Sequence, residues 1–315
     1  MAASANSYEN SQQTEEPVVW IMVLHYQGAD CTVTCLNSLR ALKYRKFHVL
    51  LLDNGSPDRS GDEIARSFPE FSYVRLEENL GFAGGCNEGV RYCTERGAQW
   101  VWLLNNDTRV APDSLRLMIA EAAKSDKAAL LGAMVYTPLG EQFVASGAGE
   151  IDFMRGKTLM RKQVPSGVQS VSCEWLSGCN LLLRTDAFWS VKGFDEDYFL
   201  YFEDTDLCYR MREAGWDCVL VPDARVEHIG GASTEGKLSI WRMYYYTRNR
   251  LLFFVKHTKG AAMVPMLLAI SAHLARHYIV LPFRGEAGKR QLKAEMLGLR
   301  DYMDRRFGKA TCLDW

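Results

Sequence analysis

Apolar runs alternate with helix-like segments through the first half of the chain. The runs lie at 18–24 (VVWIMVL), 47–52 (FHVLLL), 72–76 (SYVRL) and 100–104 (WVWLL). Segments with helical spacing separate them, at 30–42, at 60–68, through Val90 and Tyr92, and from Pro112 onward. Strands that are apolar on both faces and alternate with helices predict a mainly parallel sheet with helices on both faces. Asp30 is the expected N-cap of the first helix.

The pattern changes in the second half of the chain. Residues 130–172 read as short strands and loops with scattered glycines. Thr185 is expected to cap a short helix, a longer helix is predicted over 204–214, and 218–222 (CVLVP) is a further strand. Beyond Trp241 the chain is first aromatic and basic, then strongly apolar. We therefore expect three parts: a disordered tail over 1–17, an α/β domain over 18–255 and a helical segment over 256–315.

Composition and charge limit the class of protein. Of 315 residues, 48% are hydrophobic, and 37 basic against 38 acidic residues give a net charge of −1. This balance argues against a polyanionic partner, so no nucleic acid is expected. The nine cysteines form no CxxC pair, a pattern typical of reduced thiols in the cytosol. The first seventeen residues carry no apolar region of a secretory signal, which also favours a cytoplasmic protein.

Polar side chains follow three of the predicted strands, at the point where each strand ends. These clusters are His25-Tyr26-Gln27, Asp53-Asn54 and Asn105-Asn106-Asp107. Open parallel sheets bind ligands in the crevice beyond the carboxyl ends of their strands. Three clusters at one edge favour a binding site over ordinary polar turns.

Two further features are open to more than one interpretation. The glycine-rich stretch 79–89 (NLGFAGGCNEG) could admit a phosphate to a helix N-terminus or could pack a helix tightly on the sheet. Asp107 could supply an oxygen ligand to a hard cation such as Mg2+ or Mn2+. His228, just past another apolar strand, could complete that site or could be a structural histidine.

The segment 195–206, which we call the acidic–aromatic segment, carries six carboxylates and four aromatic rings (DEDYFLYFEDTD). A solvated helix start explains Asp206, because acids there interact favourably with the helix dipole. It does not explain Tyr198, Phe199, Tyr201 and Phe202. Rings can shape a sugar site and, by excluding water, raise the pKa of a carboxyl. The segment therefore favours a functional site.

Taken as an ordered series, these stretches resemble a known enzyme family. The series is HYQG, LLDNGSPDRS, ENLGFAGGCNEG, LLNNDT, WLSGCNLLLR, GFDEDYFLYFEDTDLCYR, VEHIGGAS and YYYTRNR. It resembles the inverting glycosyltransferases of family 2, which have the GT-A fold, and in particular the bacterial rhamnosyltransferase-like enzymes of cell-surface polysaccharide synthesis. The resemblance runs from about Val18 to about Phe254. It implies a Rossmann-like, mainly parallel sheet with a C-terminal helical extension.

The resemblance also implies roles for individual residues. Asp204 matches the general base, with Glu203 as its acidic partner, and Asp107 and His228 stand at the metal position. The implied donor-binding residues are His25, Tyr26, Asp53, Asn54, Asn79, Gly81, Phe82, Ala83, Asn87, Asn105, Asn106 and Arg248. The implied acceptor-binding residues are Trp175, Gly178, Tyr201 and Phe202. Residues 18–125 would form the nucleotide-sugar half of the domain and 126–255 the acceptor half. The family's D-x-D metal motif has Asn105 in place of its first aspartate, which weakens the expectation of tight metal binding.

The C-terminal segment could serve as a surface for other molecules. The apolar stretch 261–283 is followed by basic residues, so it could lie at a membrane surface, form a buried helix pair or form a homodimer interface. His273 and His277 have metal-ligand spacing, but HLARH lacks the glutamate of H-E-x-x-H, so we interpret the pair as incidental.

The expected function is sugar transfer from a nucleotide donor to a glycan or lipid-linked acceptor, at the inner face of the cell membrane. Resemblance favours L-rhamnose from dTDP-L-rhamnose, with a UDP-sugar as the alternative donor. A non-catalytic sugar- or lipid-binding subunit is the second hypothesis, and Asn105 keeps it open. A dinucleotide-dependent oxidoreductase is disfavoured because HYQGAD stands where G-x-G-x-x-G should follow the first strand.

Overall fold

The computed structural model describes residues 16–139, 142–161, 164, 167–229 and 238–311. The strands are β1 Val19–His25, β2 Phe47–Asp53, β3 Ser72–Arg75, β4 Trp100–Asn105, β5 Thr108–Val110, β6 Ala128–Leu139, β7 Gln142–Ser146, β8 Ala148–Asp152, β9 Lys157–Met160, β10 Val171–Ser172, β11 Trp175–Leu176, β12 Asn180–Arg184 and β13 Asp217–His228. The helices are α1 Ala29–Leu39, α2 Ser60–Ser67, α3 Gly81–Thr94, α4 Ser114–Ala122, α5 Thr185–Ser190, α6 Glu203–Glu213, α7 Leu238–His257, α8 Met263–Val280 and α9 Gly285–Met303. Nearly all of the predicted tail lies outside the described residues.

A ten-stranded central sheet organises the molecule, with the strand order β10-β13-β6-β12-β4-β1-β2-β3 and with β5 and β7 at its side. Strands β1, β2, β3 and β4 run parallel, whereas β12 runs antiparallel between β4 and β6. The register places His25 opposite Asp53, and Leu24 opposite Asn105. The polar clusters at the ends of β1, β2 and β4 therefore share one edge of the sheet, as the sequence predicts.

Both faces of the sheet are covered, which explains why its strands are apolar at successive positions. Along β1, Met22 packs into the core on one face, while Ile21 and Val23 pack into the core on the other. All three side chains are fully buried. A strand with only one buried face would instead alternate apolar and polar residues.

Local predictions are wrong at three places. The segment predicted as short strands and loops begins with β6, a twelve-residue strand of the central sheet. Helix α1 has Gly28 in the left-handed region as its N-cap, so Asp30 lies one residue inside the helix. Thr185 is the first residue of α5, and its hydroxyl donates to the carbonyl of Ala98 at 2.8 Å instead of capping the helix. For β6 and Thr185, contacts with distant parts of the chain outweigh the local preference.

The C-terminal helices fold back onto the domain. Helix α9 packs closely on α7, where a Cβ at Gly298 would lie 2.5 Å from the carbonyl oxygen of Tyr244. Helix α8 is different, because only Met266 and Ile270 are buried along it. The stretch Gly260–Met303 has the length and apolar composition of a membrane-spanning helix, and 17% of its most apolar window is buried. A buried helix pair is therefore the wrong interpretation of this segment. The domain boundary near residue 255 stays a prediction.

Candidate functional site

The residues at the ends of β1 and β2 form a buried polar floor beneath the crevice. His25 is fully buried, and its Nδ1 and Nε2 lie 2.8 Å from the Thr32 hydroxyl and 2.9 Å from the Ser60 hydroxyl. Burial lowers the pKa of this imidazole, so it is neutral at neutral pH. Both ring nitrogens are engaged by the protein, so His25 shapes the floor and does not reach a ligand in this arrangement.

Asp53 also belongs to this floor. Its carboxylate is fully buried and accepts from the backbone N–H of Ser56 at 2.7 Å and from the guanidinium of Arg75 at 3.0 Å. The neighbouring Tyr26 is 40% exposed and stands at the surface of the crevice. Of the two residues expected to hold the nucleoside, Tyr26 is therefore the accessible one, and Asp53 is paired with Arg75.

The glycine-rich stretch packs a helix and does not open a phosphate site. The backbone N–H groups of Phe82 and Ala83, in the first turn of α3, donate to the carbonyl of Phe199 at 2.7 and 3.4 Å. A Cβ at Gly81 would lie 2.4 Å from that same oxygen. The amides that would receive a phosphate are thus occupied by the acidic–aromatic segment. Gly81, Phe82 and Ala83 therefore offer no phosphate site at the helix N-terminus, which corrects one of the two interpretations.

Three asparagines of the predicted donor set connect this region. Asn54 donates from Nδ2 to the carbonyl of Gly81 at 2.8 Å, and Asn79 accepts from the N–H of Gly81 at 2.8 Å. Asn87 donates to the carbonyl of Phe194 and accepts from its N–H, both at 2.9 Å. Since these amides bond to the backbone, Asn54, Asn79 and Asn87 position α3 against β2 and against the loop before the acidic–aromatic segment.

The predicted metal ligands come together at the end of β4. Strand β13 pairs with β5, which brings Nε2 of His228 to 3.1 Å from Oδ1 of Asp107. Asp107 is largely buried, and its hydrogen bond with His228 raises the pKa of the imidazole. When His228 is neutral, its ring nitrogen and the carboxylate oxygen are both ligand atoms for a cation, and a carboxylate with an imidazole suits Mn2+ better than Mg2+. The pair therefore fits a divalent metal.

The two asparagines before Asp107 differ in their surroundings. Asn106 donates from Nδ2 to the carbonyl of Gln27 and to the hydroxyl of Thr32, both at 2.9 Å, so it joins the ends of β4 and β1. Asn105 is half-buried at the end of β4, and its backbone N–H donates to the carbonyl of Cys179 at 3.0 Å. Asn105 is thus the member of this pair that contacts the turn at 177–179.

Asp204 has the contacts expected of a base. It is half-buried in the first turn of α6, and its Oδ2 accepts from the N–H of Gly178 at 2.9 Å while Oδ1 accepts from the N–H of Thr205 at 2.6 Å. Burial raises the pKa of the carboxyl, and these N–H donors partly oppose that rise by stabilising the anion. A carboxylate has about four lone-pair sites, so room remains for an acceptor hydroxyl.

The two acids that flank Asp204 have other roles. Glu203 is 5% exposed, and burial together with the charge of Asp204 raises its pKa well above the usual range. Of these two neighbouring carboxyls, Glu203 is therefore the one that favours its neutral form more strongly. Asp206 is fully buried and accepts from Lys256, His257 and Arg210 at 3.0, 2.7 and 2.5 Å. These partners keep its pKa far below the usual range despite burial, so Asp206 is a permanently charged structural centre.

Backbone strain marks the part of the acidic–aromatic segment just before Asp204. Phe199, Tyr201 and Phe202 have φ values of 61°, 68° and 73°, a region that L-residues rarely occupy. Each such residue costs about 1–2 kcal/mol unless surrounding contacts hold it. We call residues 199–202 the strained turn.

Two residues of α7 hold the strained turn. Asn249 donates from Nδ2 to the carbonyls of Tyr198, Leu200 and Tyr201, at 2.8, 2.8 and 2.9 Å. Arg248 is fully buried and donates to the carbonyls of Tyr198 and Gly308, at 3.1 and 2.8 Å. The expectation that Arg248 binds the donor is therefore wrong, because its guanidinium is used inside the protein. Both side chains therefore fix the position of the strained turn and of the residue before it.

Some of the predicted acceptor residues lie in the core, and others are accessible. Trp175 is 8% exposed, and its indole N–H donates to the carbonyl of Glu150 at 3.2 Å. Phe202 is 5% exposed and packs on Tyr246, with 5.2 Å between the ring centres. These two rings belong to the core, which corrects their assignment, whereas Tyr201 is half-buried.

Gly178 lies between two parts of the site. A Cβ there would come within 3.2 Å of the ring of Phe82 and 3.4 Å of Cβ of Asp204. The next residue, Cys179, bonds to the end of β4 through its carbonyl. Burial raises the pKa of its thiol to about 11, and the charges of Asp107 and Asp204 both contribute. The turn at 177–179 therefore has the Asp107–His228 pair on one side and Asp204 on the other.

Comparison with known proteins identifies the family of the chain. Residues 20–189, more than half of the chain, match the family model described as "Glycosyl transferase family 2". An N-acetylglucosaminyl-diphospho-decaprenol L-rhamnosyltransferase from Mycobacterium tuberculosis is 28% identical over 281 residues, which cover 82% of this chain and 91% of that protein. A dTDP-rhamnosyl transferase, RfbF, from Shigella flexneri is 24% identical over 250 residues, covering 75% and 78%.

Solved structures share the fold at low identity. A mannosyltransferase from Pyrobaculum calidifontis, in complex with GDP-Man and Mn2+, superposes with a TM-score of 0.55 at 15% identity and covers 92% of this chain and 76% of that chain. GalNAc-T7 with UDP, GalNAc and Mn2+ superposes with a TM-score of 0.56 at 14% identity, covering 73% and 50%. The architecture of this chain is the GT-A fold, as the sequence predicts.

Proposed function

Because the chain belongs to glycosyl transferase family 2, we propose that it is an inverting, metal-dependent enzyme that transfers L-rhamnose from dTDP-L-rhamnose to a glycan or lipid-linked acceptor. The observation that carries this proposal is the turn at 177–179. It joins Asp204, through the N–H of Gly178, to the strand end that presents Asp107 and His228. A base and a metal pair on two sides of one turn are the groups that a sugar displacement requires.

Each group has a defined part in the proposed reaction. Asp204 accepts the proton of the acceptor hydroxyl as the oxygen attacks the anomeric carbon, a contribution of roughly 10²–10⁴ in rate. The N–H groups of Gly178 and Thr205 fix the orientation of this carboxylate. Asp107 and His228 would hold a divalent cation, Mg2+ or Mn2+, which neutralises charge on the departing nucleoside diphosphate. Tyr26, exposed above the floor, is placed to cover the nucleoside base.

The donor is tested by a panel of nucleotide sugars. We expect release of dTDP from dTDP-L-rhamnose at least about tenfold faster than release of UDP or GDP from their sugars, in the presence of Mn2+. The two rhamnosyl transferases to which the chain is similar support this choice. Calorimetry with the same compounds separates binding from turnover. Faster release from a UDP-sugar overturns the donor assignment, and binding without turnover of any donor favours the non-catalytic subunit.

We further propose that the acceptor is carried on a lipid diphosphate and that α8 rests on the inner face of the cytoplasmic membrane. Its accessible side presents Leu268, Tyr278 and Ile279, at 66%, 62% and 65% exposure, and Phe283 follows at 87%. Arg276 and Arg284 lie along the same stretch and would meet anionic headgroups. The similarity to a transferase named for a diphospho-decaprenol acceptor supports this placement.

Vesicle sedimentation tests the membrane contact. The double variant Leu268→Glu, Ile279→Glu is expected to lower binding to phosphatidylglycerol-containing vesicles by at least about tenfold. It replaces two exposed apolar side chains, which would enter the lipid, with charged ones. Met160→Glu, at another exposed apolar residue, is the matched control and should bind as the parent does. Unchanged sedimentation of the double variant contradicts the proposal. A monomeric double variant beside a dimeric parent in light scattering would assign this surface to a homodimer.

A further inference from the structure

A group of side chains that could hold a metal ion lies in the C-terminal helices α8 and α9. His273 and His277 are one helical turn apart on α8, and their ring centres are 4.2 Å apart. Glu295 reaches them from α9, and one ligand atom from each of the three residues lies within 4.8 Å of the others. The histidine pair lacks a glutamate in its own motif, but the fold supplies one from the neighbouring helix.

The carboxylate of Glu295 points to a ligand that the protein itself does not provide. Glu295 is 2% exposed, and its Oε1 lies 2.7 Å from Nδ1 of His277. Its other oxygen, Oε2, is buried and has no hydrogen-bond partner within the described ranges. An unpaired buried carboxylate oxygen is costly, and native proteins rarely keep one without a bound group. A cation shared with the two imidazoles would satisfy it.

We propose that His273, His277 and Glu295 bind one Zn2+ ion that joins α8 to α9. Two histidines and one carboxylate form a common zinc set, and the fourth position would take a water molecule or another small ligand. The ligand atoms need to move by about 1 Å or less for tetrahedral distances near 2.0–2.2 Å, and the His277–Glu295 hydrogen bond gives way to the metal. Arg250 interacts electrostatically with Glu295. A water molecule as the fourth zinc ligand would be neutral, so this ligand would add no charge next to Arg250.

The site would be structural. Helix α9 packs on α7, and α7 carries Asn249, which holds the strained turn. Helix α8 itself buries only Met266 and Ile270, so it has few apolar contacts to fix its position. Zinc would therefore hold α8 against α9 and present its apolar side in one orientation, without taking part in the transfer reaction.

Zinc titration of the full-length, untagged protein tests the proposal. Asp107→Asn, His228→Ala serves as the background, so that the proposed catalytic site does not contribute. With a chromophoric zinc indicator as competitor, we expect one zinc per chain in this background. Adding His273→Ala is expected to weaken zinc binding by at least about 100-fold, since losing a ligand should exceed the effect of losing an outer-shell partner. His48→Ala, at an exposed histidine of β2, is the matched control and should leave the affinity unchanged.

A second measurement covers variants with altered folding. Glu295→Gln changes a buried group, so the folding of this variant is checked by circular dichroism. His273 is accessible to solvent, so the protein should tolerate its replacement. Amide hydrogen exchange in α8 should slow on addition of Zn2+ in the background protein but not after His273→Ala. Equal zinc affinity with and without His273→Ala overturns the proposal. Absence of zinc binding in a folded background protein overturns it as well.

Discussion

Asp204→Asn is expected to lower kcat for sugar transfer by about 10²–10⁴-fold while the protein stays folded. Asparagine can still accept the N–H of Gly178 through its side-chain oxygen, so the turn at 177–179 keeps its support. The amide cannot take the proton from the acceptor hydroxyl, and the reaction loses its base. Initial rates with donor and acceptor at saturation measure the effect, and KM for the donor should change little. Full activity of a folded Asp204→Asn protein would falsify the assignment of the base.

Asp206→Asn, two residues away, is the matched control. Asp206 is buried and accepts from Arg210 and Lys256, so removing its charge takes away the buried anion that these two cations share. We expect a loss of about 3 kcal/mol in the free energy of unfolding, measured by urea denaturation, with kcat per folded molecule nearly unchanged. The opposite outcome, in which Asp206→Asn loses chemistry and Asp204→Asn loses stability, would exchange the two roles.

The low pKa of Asp206 gives this contrast a pH signature. The folded-state pKa is depressed, so the stabilisation is complete above the unfolded value of about 4 and is lost as pH falls below it. As the pH falls below about 4, the free energy of unfolding of the parent protein should therefore decrease more steeply than that of the Asp206→Asn variant. Similar acid-unfolding curves for the two proteins would argue against Asp206 as a charged centre.

Loss of the metal site is the second large effect that we expect. Asp107→Asn, or chelation of divalent cations in the parent, should lower the transfer rate by at least about 100-fold, which corresponds to about 3 kcal/mol of transition-state stabilisation. Without a metal, Oδ1 of Asp107 lies 3.1 Å from Nε2 of His228, and the cation would replace this contact. Mn2+ binding, followed by electron paramagnetic resonance, provides a measurement independent of activity.

Asn105→Asp is a control that should strengthen metal binding instead of weakening it. It restores the acid that the family's metal motif often has at this position, and Asn105 is half-buried two residues before Asp107. We expect tighter Mn2+ binding than in the parent, because a second carboxylate adds negative charge to the ligand set. Full transfer activity of the parent in excess chelator contradicts the metal assignment, whereas weaker binding by Asn105→Asp contradicts the proposed position of the cation.

The sequence was sufficient to predict the central sheet and the edge of the sheet at which the candidate site lies. Strands that are apolar at successive positions gave the parallel sheet, and the register of β1, β2 and β4 follows from it. Polar residues just after those strands must then share an edge, which places Tyr26, Asp53 and Asn105 without further information. The rings beside Asp204 likewise indicated a carboxyl shielded from water, in agreement with its raised pKa.

Contacts between distant parts of the chain could not be predicted in this way. No local pattern indicates that the carbonyl of Phe199 occupies the first turn of α3, or that Asn249 holds the strained turn. Arg248 shows the difficulty, because an arginine near a predicted phosphate site is the usual sign of a ligand contact. Only tertiary structure shows that its donors are used by backbone carbonyls. Glu295, which reaches His277 from another helix, was hidden for the same reason.

The strained turn has a consequence for the order in which the protein is made. Its supports come from later parts of the chain: Asn249 lies in α7, and Gly308 donates from its N–H to the carbonyl of Asp197, two residues before the turn, at 2.8 Å. The strands that carry Asp53 and Asp107 leave the ribosome much earlier and can pair with one another. A nascent chain can thus pair these strands early, but the turn that carries Asp204 gains its supports only after residues 249 and 308 have been synthesised.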